Sequence, residues 1–210
     1  MKIEVIPVTP FAQNCSLIWD QATGEGALVD PGGDLERLME RVAHHEVRLT
    51  KILLTHGHLD HCAGAPVLAR QLGLPIEGPQ RAESFWLDQL PAQAARWGFP
   101  PSEAFVPDRW LEHGERVAAA GVEFEVVHCP GHTPGHIVFF QPDLRLALVG
   151  DVLFRGSIGR TDFPRGDHAQ LIASIMERLL PLGDDVTFVP GHGPLSTFGQ
   201  ERETNPFLNA

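Results

Sequence analysis

Tyrosine is absent from the 210-residue chain, and cysteine occurs only three times, as Cys15, Cys62 and Cys129. No pair of these cysteines has the spacing of a disulfide or metal motif. A sparse, odd count points to reduced thiols and a cytoplasmic protein. Small buried packing is the expected role of all three, although Cys62 directly follows a histidine. Cations are also scarce: 16 Lys and Arg against 27 Asp and Glu leave a formal charge of −11. Phosphate backbones need a basic surface, so nucleic acid is not an expected partner. No apolar run approaches membrane-spanning length, and the opening Met1-Lys2-Ile3-Glu4-Val5 lacks the cationic segment and apolar core of a secretory signal, so no membrane partner is expected. A chain of this length can bury a sizeable core without disulfides. No linker, repeat or low-complexity segment divides it, which predicts one domain over residues 1–210.

Histidine, by contrast, is concentrated. His56, His58, Asp60 and His61 fall within the run Thr55-His56-Gly57-His58-Leu59-Asp60-His61. Packing does not explain that density, because buried polar and charged groups need partners. A divalent metal supplies one, since imidazole and carboxylate suit zinc, iron or manganese. The bland alternative is a polar surface loop that happens to be rich in histidine. The apolar Lys51-Ile52-Leu53-Leu54 before it has the character of a buried strand. If the chain stays extended past Thr55, His56 and His58 point to one side. Asp60 is expected to cap the helix that follows.

The layout recurs. A strand-like run, a tight Gly or Pro turn and a ligand-type residue appear again at Val126-Val127-His128-Cys129-Pro130-Gly131-His132, at Leu146-Ala147-Leu148-Val149-Gly150-Asp151, and at Val186-Thr187-Phe188-Val189-Pro190-Gly191-His192-Gly193. Glycine lets the backbone bend and approach closely at such turns. His136 opens the strand Ile137 to Phe140, and it and His128 are expected to pack or hydrogen-bond rather than bind metal. His44 and His45 are expected to be solvated, and His113 and His168 to be structural.

Between these loops, strands are predicted at Ile3 to Val8, Cys15 to Trp19, Gly26 to Asp30, Lys51 to Leu54, Arg116 to Val127, Ile137 to Gln141, Leu144 to Val149 and Asp185 to Val189. Helices are predicted at Asp34 to His45, Ala65 to Leu72 and Asp167 to Leu180, with a short one ending near Asn205-Pro206. Arg81 to Trp97 has helical spacing, and its Phe85, Trp86, Leu90 and Trp97 belong either at the mouth of the site or in the core. Pro100, Pro101 and Pro107 mark an irregular crossing loop.

The order His-x-His-x-Asp-His, Gly-His, Gly-Asp, Gly-His resembles the metallo-β-lactamase superfamily, over nearly the whole chain from Val29-Asp30-Pro31-Gly32-Gly33 onward. The resemblance implies an α/β fold, a four-layer αββα sandwich with ligands from both halves meeting at one edge. It implies His56, His58 and His132 at a first metal, Asp60, His61 and His192 at a second, and Asp151 bridging them. The implied cofactors are two divalent ions, zinc first, with iron and manganese as alternatives. Asp30 in the Asp-Pro-Gly turn is implied to be structural.

Within the superfamily the chain is similar to the short bacterial form of glyoxalase II (hydroxyacylglutathione hydrolase). That branch implies a small acyl thioester, S-lactoylglutathione above all, as substrate. In that branch metal ions would supply the attacking hydroxide, Asp60 would orient it and take up its proton as the carbonyl is attacked, and thiolate would leave without prior protonation. Arg160 matches a basic position that pairs with the glycine carboxylate of glutathione. Asp151 sets the chain apart from the β-lactamases, and the lack of tyrosine sets it apart from the lactonases. The alternative is a mononuclear-iron persulfide dioxygenase, which Gly159-Arg160-Thr161-Asp162-Phe163 also resembles. That branch reads Ala-His-Asp where this chain has Pro190-Gly191-His192-Gly193.

Overall fold

The computed structural model describes residues 1–209. The first half forms a sheet of β1 (Lys2–Val8), β2 (Gln13–Trp19), β3 (Glu25–Val29), β4 (Arg48–Leu53) and β5 (Ile76–Glu77), hydrogen-bonded in that order. The meander β1-β2-β3 is antiparallel, and β3, β4 and β5 run parallel. Helix α1 (Leu35–His44) fills one parallel crossover, and α2 (Leu59–Cys62) with α3 (Ala65–Leu72) fills the next. A helical arm of α4 (Ser84–Leu87) and α5 (Leu90–Trp97) precedes the second half. There β6 (Arg116–Ala119), β7 (Val122–His128), β8 (Ile137–Gln141) and β9 (Leu146–Gly150) form an antiparallel meander. After the small hairpin β10 (Leu153–Phe154) and β11 (Ser157–Ile158) and the helix α6 (His168–Ser174), β12 (Thr187–Pro190) adds parallel to β9. Strand β13 (Ser196–Thr197) closes that sheet's edge, and α7 (Phe198–Thr204) lies beyond it.

Strand periodicity of two explains the layering. Ile18, Ala27, Val29 and Leu53 point between the sheets, where they pack with Phe124, Val126, Phe139, Leu148 and Val189. Their neighbours Leu17, Leu28 and Ile52 point outward onto Leu38, Val42 and Leu68 of α1 and α3. Likewise Val127, Phe140, Ala147, Val149 and Phe188 point outward onto Leu171 of α6 and Phe198 of α7. Helix, sheet, sheet and helix therefore stack as four layers. Coverage on both faces is why the strands read as unbroken apolar runs.

Several expectations need correction. Asp60 does not cap a helix; it lies inside α2, whose cap position is His58. The stretch Arg116 to Val127 is not one strand but a hairpin, turned by Ala120 and Gly121 with φ of 52° and 74°. The helix expected over Arg81 to Trp97 is broken: a 3₁₀ turn precedes α4, and Pro91 in the first turn of α5 prevents one continuous helix. The helix expected over Asp167 to Leu180 starts at His168, where the Asp167 side chain accepts from the Gln170 N–H at 2.9 Å, and widens into a π-turn at Ile175–Leu179. His45 is not simply solvated, since it stacks on Trp19 at 4.5 Å and meets Glu4 at 2.6 Å. Strands β5, β10, β11 and β13 escape sequence reasoning, because two residues carry no period to read.

Candidate metal centre

The ligand-type residues follow the carboxyl ends of β4, β7, β9 and β12. Because β9 and β12 run parallel, Asp151 and His192 emerge side by side. Close approach is required there: a Cβ on Gly191 would lie 2.6 Å from the His61 ring. The loops from the two sheets meet in one place, and all seven residues singled out in the sequence come together.

His56 Nε2 lies 3.2 Å from His58 Nδ1, which in turn lies 2.9 Å from His132 Nε2. Beside them, His192 Nε2 is 3.3 Å from Asp60 Oδ2, and His61 Nε2 is 3.8 Å from the same oxygen. Asp151 spans both groups: Oδ1 is 3.3 Å from His61 Nε2, and Oδ2 is 3.6 Å from His132 Nε2.

The outer partners decide which nitrogen faces inward. His132 Nδ1 meets the Arg160 carbonyl at 2.7 Å, and His192 Nδ1 meets the Phe11 carbonyl at 3.1 Å. A carbonyl only accepts, so both Nδ1 atoms carry the hydrogen and both Nε2 atoms present a lone pair. His61 Nδ1 donates to Asp30 Oδ2 at 3.0 Å. Thr55 Oγ1 donates to that carboxylate at 2.6 Å, which leaves it to accept from His56 Nδ1 at 3.0 Å. Asp30 is thus held in a structural role: it also takes the Thr55 N–H at 2.7 Å and orients two imidazoles.

Two observations test whether cations fit. Inward atoms are left over, since His61 Nε2 and Asp151 Oδ1 are buried without a hydrogen-bond partner. Charge is also left over. Asp30, Asp60, Glu83 and Asp151 are all buried, and no lysine or arginine is buried among the described residues. His56, His58 and His132 form one group able to hold an ion, and Asp60, His61 and His192 another. The donors fit.

Burial, reinforced by the neighbouring imidazoles, pushes the pKa values of His56 and His58 well below the usual histidine value, which keeps them neutral and able to ligate. Burial alone would lower His61 as well, but the charges of Asp151 and Asp60 raise it well above that value. Burial opposes ionisation of Asp151, yet His61, His132 and His192 hold its carboxyl far below the carboxylate range.

His136 and His128 stay out of both groups, as expected. The His136 ring stacks on His56 at 4.5 Å and accepts from the Asp151 N–H at 3.0 Å. His128 Nε2 bonds the Pro134 carbonyl at 2.9 Å. The cysteines are free and buried.

The site opens into a cavity of about 430 Å³, floored by His58, Asp60, His132, Asp151 and His192 and walled by Phe11, Trp86, Trp97, Phe154 and Phe163. The arm therefore serves both expected purposes: Trp86 and Trp97 face the cavity, while Leu90 is core. Arg160 reaches the cavity, but Asp162 holds its guanidinium at 2.7 and 2.9 Å and it lies 4.4 Å over Phe163. Sequence reasoning missed Phe11, Phe154 and Phe163 as walls, because single aromatics in loops carry no pattern. It also missed Glu83 and Gln93, polar residues inside a helical stretch.

This geometry matches what comparison with other proteins finds. The metallo-beta-lactamase superfamily profile matches residues 8–192. The chain belongs to that superfamily and is a metallo-hydrolase. Over its full length it is 51% identical to hydroxyacylglutathione hydrolase GloC of Haemophilus influenzae, covering 99% of that protein. Among solved structures, the BLEG-1 B3 metallo-beta-lactamase is 35% identical with a TM-score of 0.91, each chain fully covered. TTHA1623 in a di-iron-bound form is 36% identical with a TM-score of 0.89, over 98% of this chain and all of that one. ETHE1 from Myxococcus xanthus is 26% identical with a TM-score of 0.82, over 98% and 84% of the respective chains.

Proposed function

We propose that this protein is a cytoplasmic thioester hydrolase that cleaves S-lactoylglutathione, or a closely similar small acyl thioester, to the acid and free thiol. The observation that carries the proposal is two nitrogen-rich donor groups joined by Asp151 at the floor of an aromatic-walled cavity. His56, His58 and His132 would hold one ion, Asp60, His61 and His192 the other, and Asp151 both. Zinc is the proposed ion. Divalent ions bound there lower the pKa of water and polarise a carbonyl. Asp60, at the cavity floor, orients the attacking water and accepts its proton on Oδ. The Asp30 network keeps His61 and His56 from turning. The aromatic walls exclude bulk water from the acyl carbon. The leaving thiolate, with an unperturbed pKa of about 8.5, needs no proton donor. Arg160 is proposed to reach a carboxylate of glutathione. Residues 1–210 are proposed to act as one domain, because both sheets contribute ligands. The likeness to GloC supports the substrate class.

A second reading is the mononuclear-iron persulfide dioxygenase that Gly159-Arg160-Thr161-Asp162-Phe163 also resembles, and the fold is shared with ETHE1. Against it stands His192, which completes a second donor group with Asp60 and His61. The test is to count metals per chain and follow loss of thioester absorbance. Two zinc ions and rapid S-lactoylglutathione cleavage are expected. One iron per chain with oxygen uptake on glutathione persulfide, and no thioester cleavage, overturns the assignment. So does turnover of a chromogenic β-lactam with the thioester untouched.

A further inference from the structure

The arm contributes more than a wall. Glu83 ends its 3₁₀ turn and is fully buried. Its carboxylate accepts the Gly57 N–H at 2.8 Å on Oε2 and the Gly135 N–H at 2.7 Å on Oε1. Gly57 lies between His56 and His58, on the loop from the first sheet. Gly135 lies on the loop from the second sheet that carries His132. One side chain thus fastens together the two loops that supply the first donor group. No lysine or arginine among the described residues is buried beside it, so hydrogen bonds alone satisfy this buried group. The contacts leave no slack. A Cβ on Gly57 would lie 2.8 Å from Trp86 Cβ and 3.0 Å from Glu83 Oε2, and one on Gly135 would lie 2.8 Å from Glu83 Cγ. The same arm grips the next residue along, where Gln93 Oε1 accepts the Leu59 N–H at 3.1 Å.

We propose that Glu83 is a positioning residue of the metal centre: its carboxylate straps the His56–His58 loop to the His132 loop and sets cation affinity at that donor group. Only a carboxylate offers two acceptor oxygens and no donor. A glutamine of equal volume turns an N–H₂ toward one of the two glycine N–H groups, and that loop is released. The inference rests on the reading that His56, His58 and His132 hold a cation.

The test uses cobalt(II) as probe, added to metal-free wild-type protein and to Glu83→Gln and Glu83→Asp. Optical absorption of the bound ion and competition with a chelator give an affinity for each site. Melting of the metal-free proteins is measured alongside. Glu83→Gln should weaken one of the two sites by about 10- to 100-fold, the range for lost outer partners of ligands. Its absorption bands should shift, while the other site and metal-free melting stay close to wild type. Glu83→Asp, too short to reach both loops, should fall between. Unchanged affinities and bands in Glu83→Gln overturn the strap. Equal weakening of both sites together with collapsed metal-free melting also overturns it, because that marks a general packing role. Wild-type protein that takes up no cobalt instead overturns the underlying reading of the donor group.

Discussion

Asp60 sits where two roles meet. It belongs to the second donor group, yet it also lines the cavity. Asparagine keeps one oxygen for a metal but cannot take a proton. Asp60→Asn should therefore lower kcat by about 100-fold or more, the usual worth of a general base, with KM much less changed. A steady-state assay that finds kcat intact removes the role. Arg160 is a weaker case, because Asp162 already satisfies its guanidinium. Arg160→Ala is expected to raise KM for glutathione thioesters on the order of tenfold, about 1.4 kcal/mol, without altering kcat. An unchanged KM would mean it does not touch substrate. At the cysteines, burial pushes Cys129 up to about 12 and Cys15 and Cys62 well above the ordinary thiol value. Only the thiolate is reactive, so the native protein should show no thiol titre with a disulfide reagent at pH 8. Denaturant should release all three.

Among the elements, the hairpin of β10 and β11 adds one wall to the cavity. It carries Phe154, and two-residue strands cannot hold themselves in place. Glu201 of α7 supplies the anchor. Fully buried, it accepts the Gly156 N–H at 2.7 Å and the Asn205 side chain at 2.9 Å, while Ser196 Oγ donates to it at 2.5 Å. Glu201→Ala strands those donors, which should cost about 1–3 kcal/mol in urea unfolding. The hairpin amides should also exchange with solvent faster than in wild type. Unaltered exchange at Gly156 would show that the hairpin is held by other means.

At the scale of the molecule, the two halves meet through one inter-sheet core and one shared site. Asp30, Asp60 and Asp151 gather carboxylates at that junction, where divalent ions would balance them. Chelation should therefore destabilise the junction rather than one loop. A ligand present at 1,000 times its Kd adds about 4 kcal/mol, which for a chain of this size is on the order of 10 °C in Tm. Calorimetry with and without chelator checks this. A Tm indifferent to chelator would argue that no ion is bound in the native state.

Much of the site is legible in the sequence alone. Ligand-type residues recur after apolar runs, so the edge of the molecule that carries the chemistry can be read from His56, His58, Asp60, His61, His132, Asp151 and His192 in turn. The pattern is local, because a strand, a tight turn and a ligand lie within about ten residues, and local order is what periodicity and turn chemistry encode. The fold's four layers follow from the same runs. The capping of α2, the break at Pro91 and the strap of Glu83 do not follow. Each depends on which groups meet after the sheets have packed. Glu83 lies 26 residues from Gly57 and 52 from Gly135. Nothing in the sequence near Glu83 marks it as a partner of either glycine. Tertiary structure alone decided that a buried carboxylate, four orienting contacts on imidazoles and an aromatic wall surround the ligands, because hydrogen bonds between distant segments exist only once the core has brought them together.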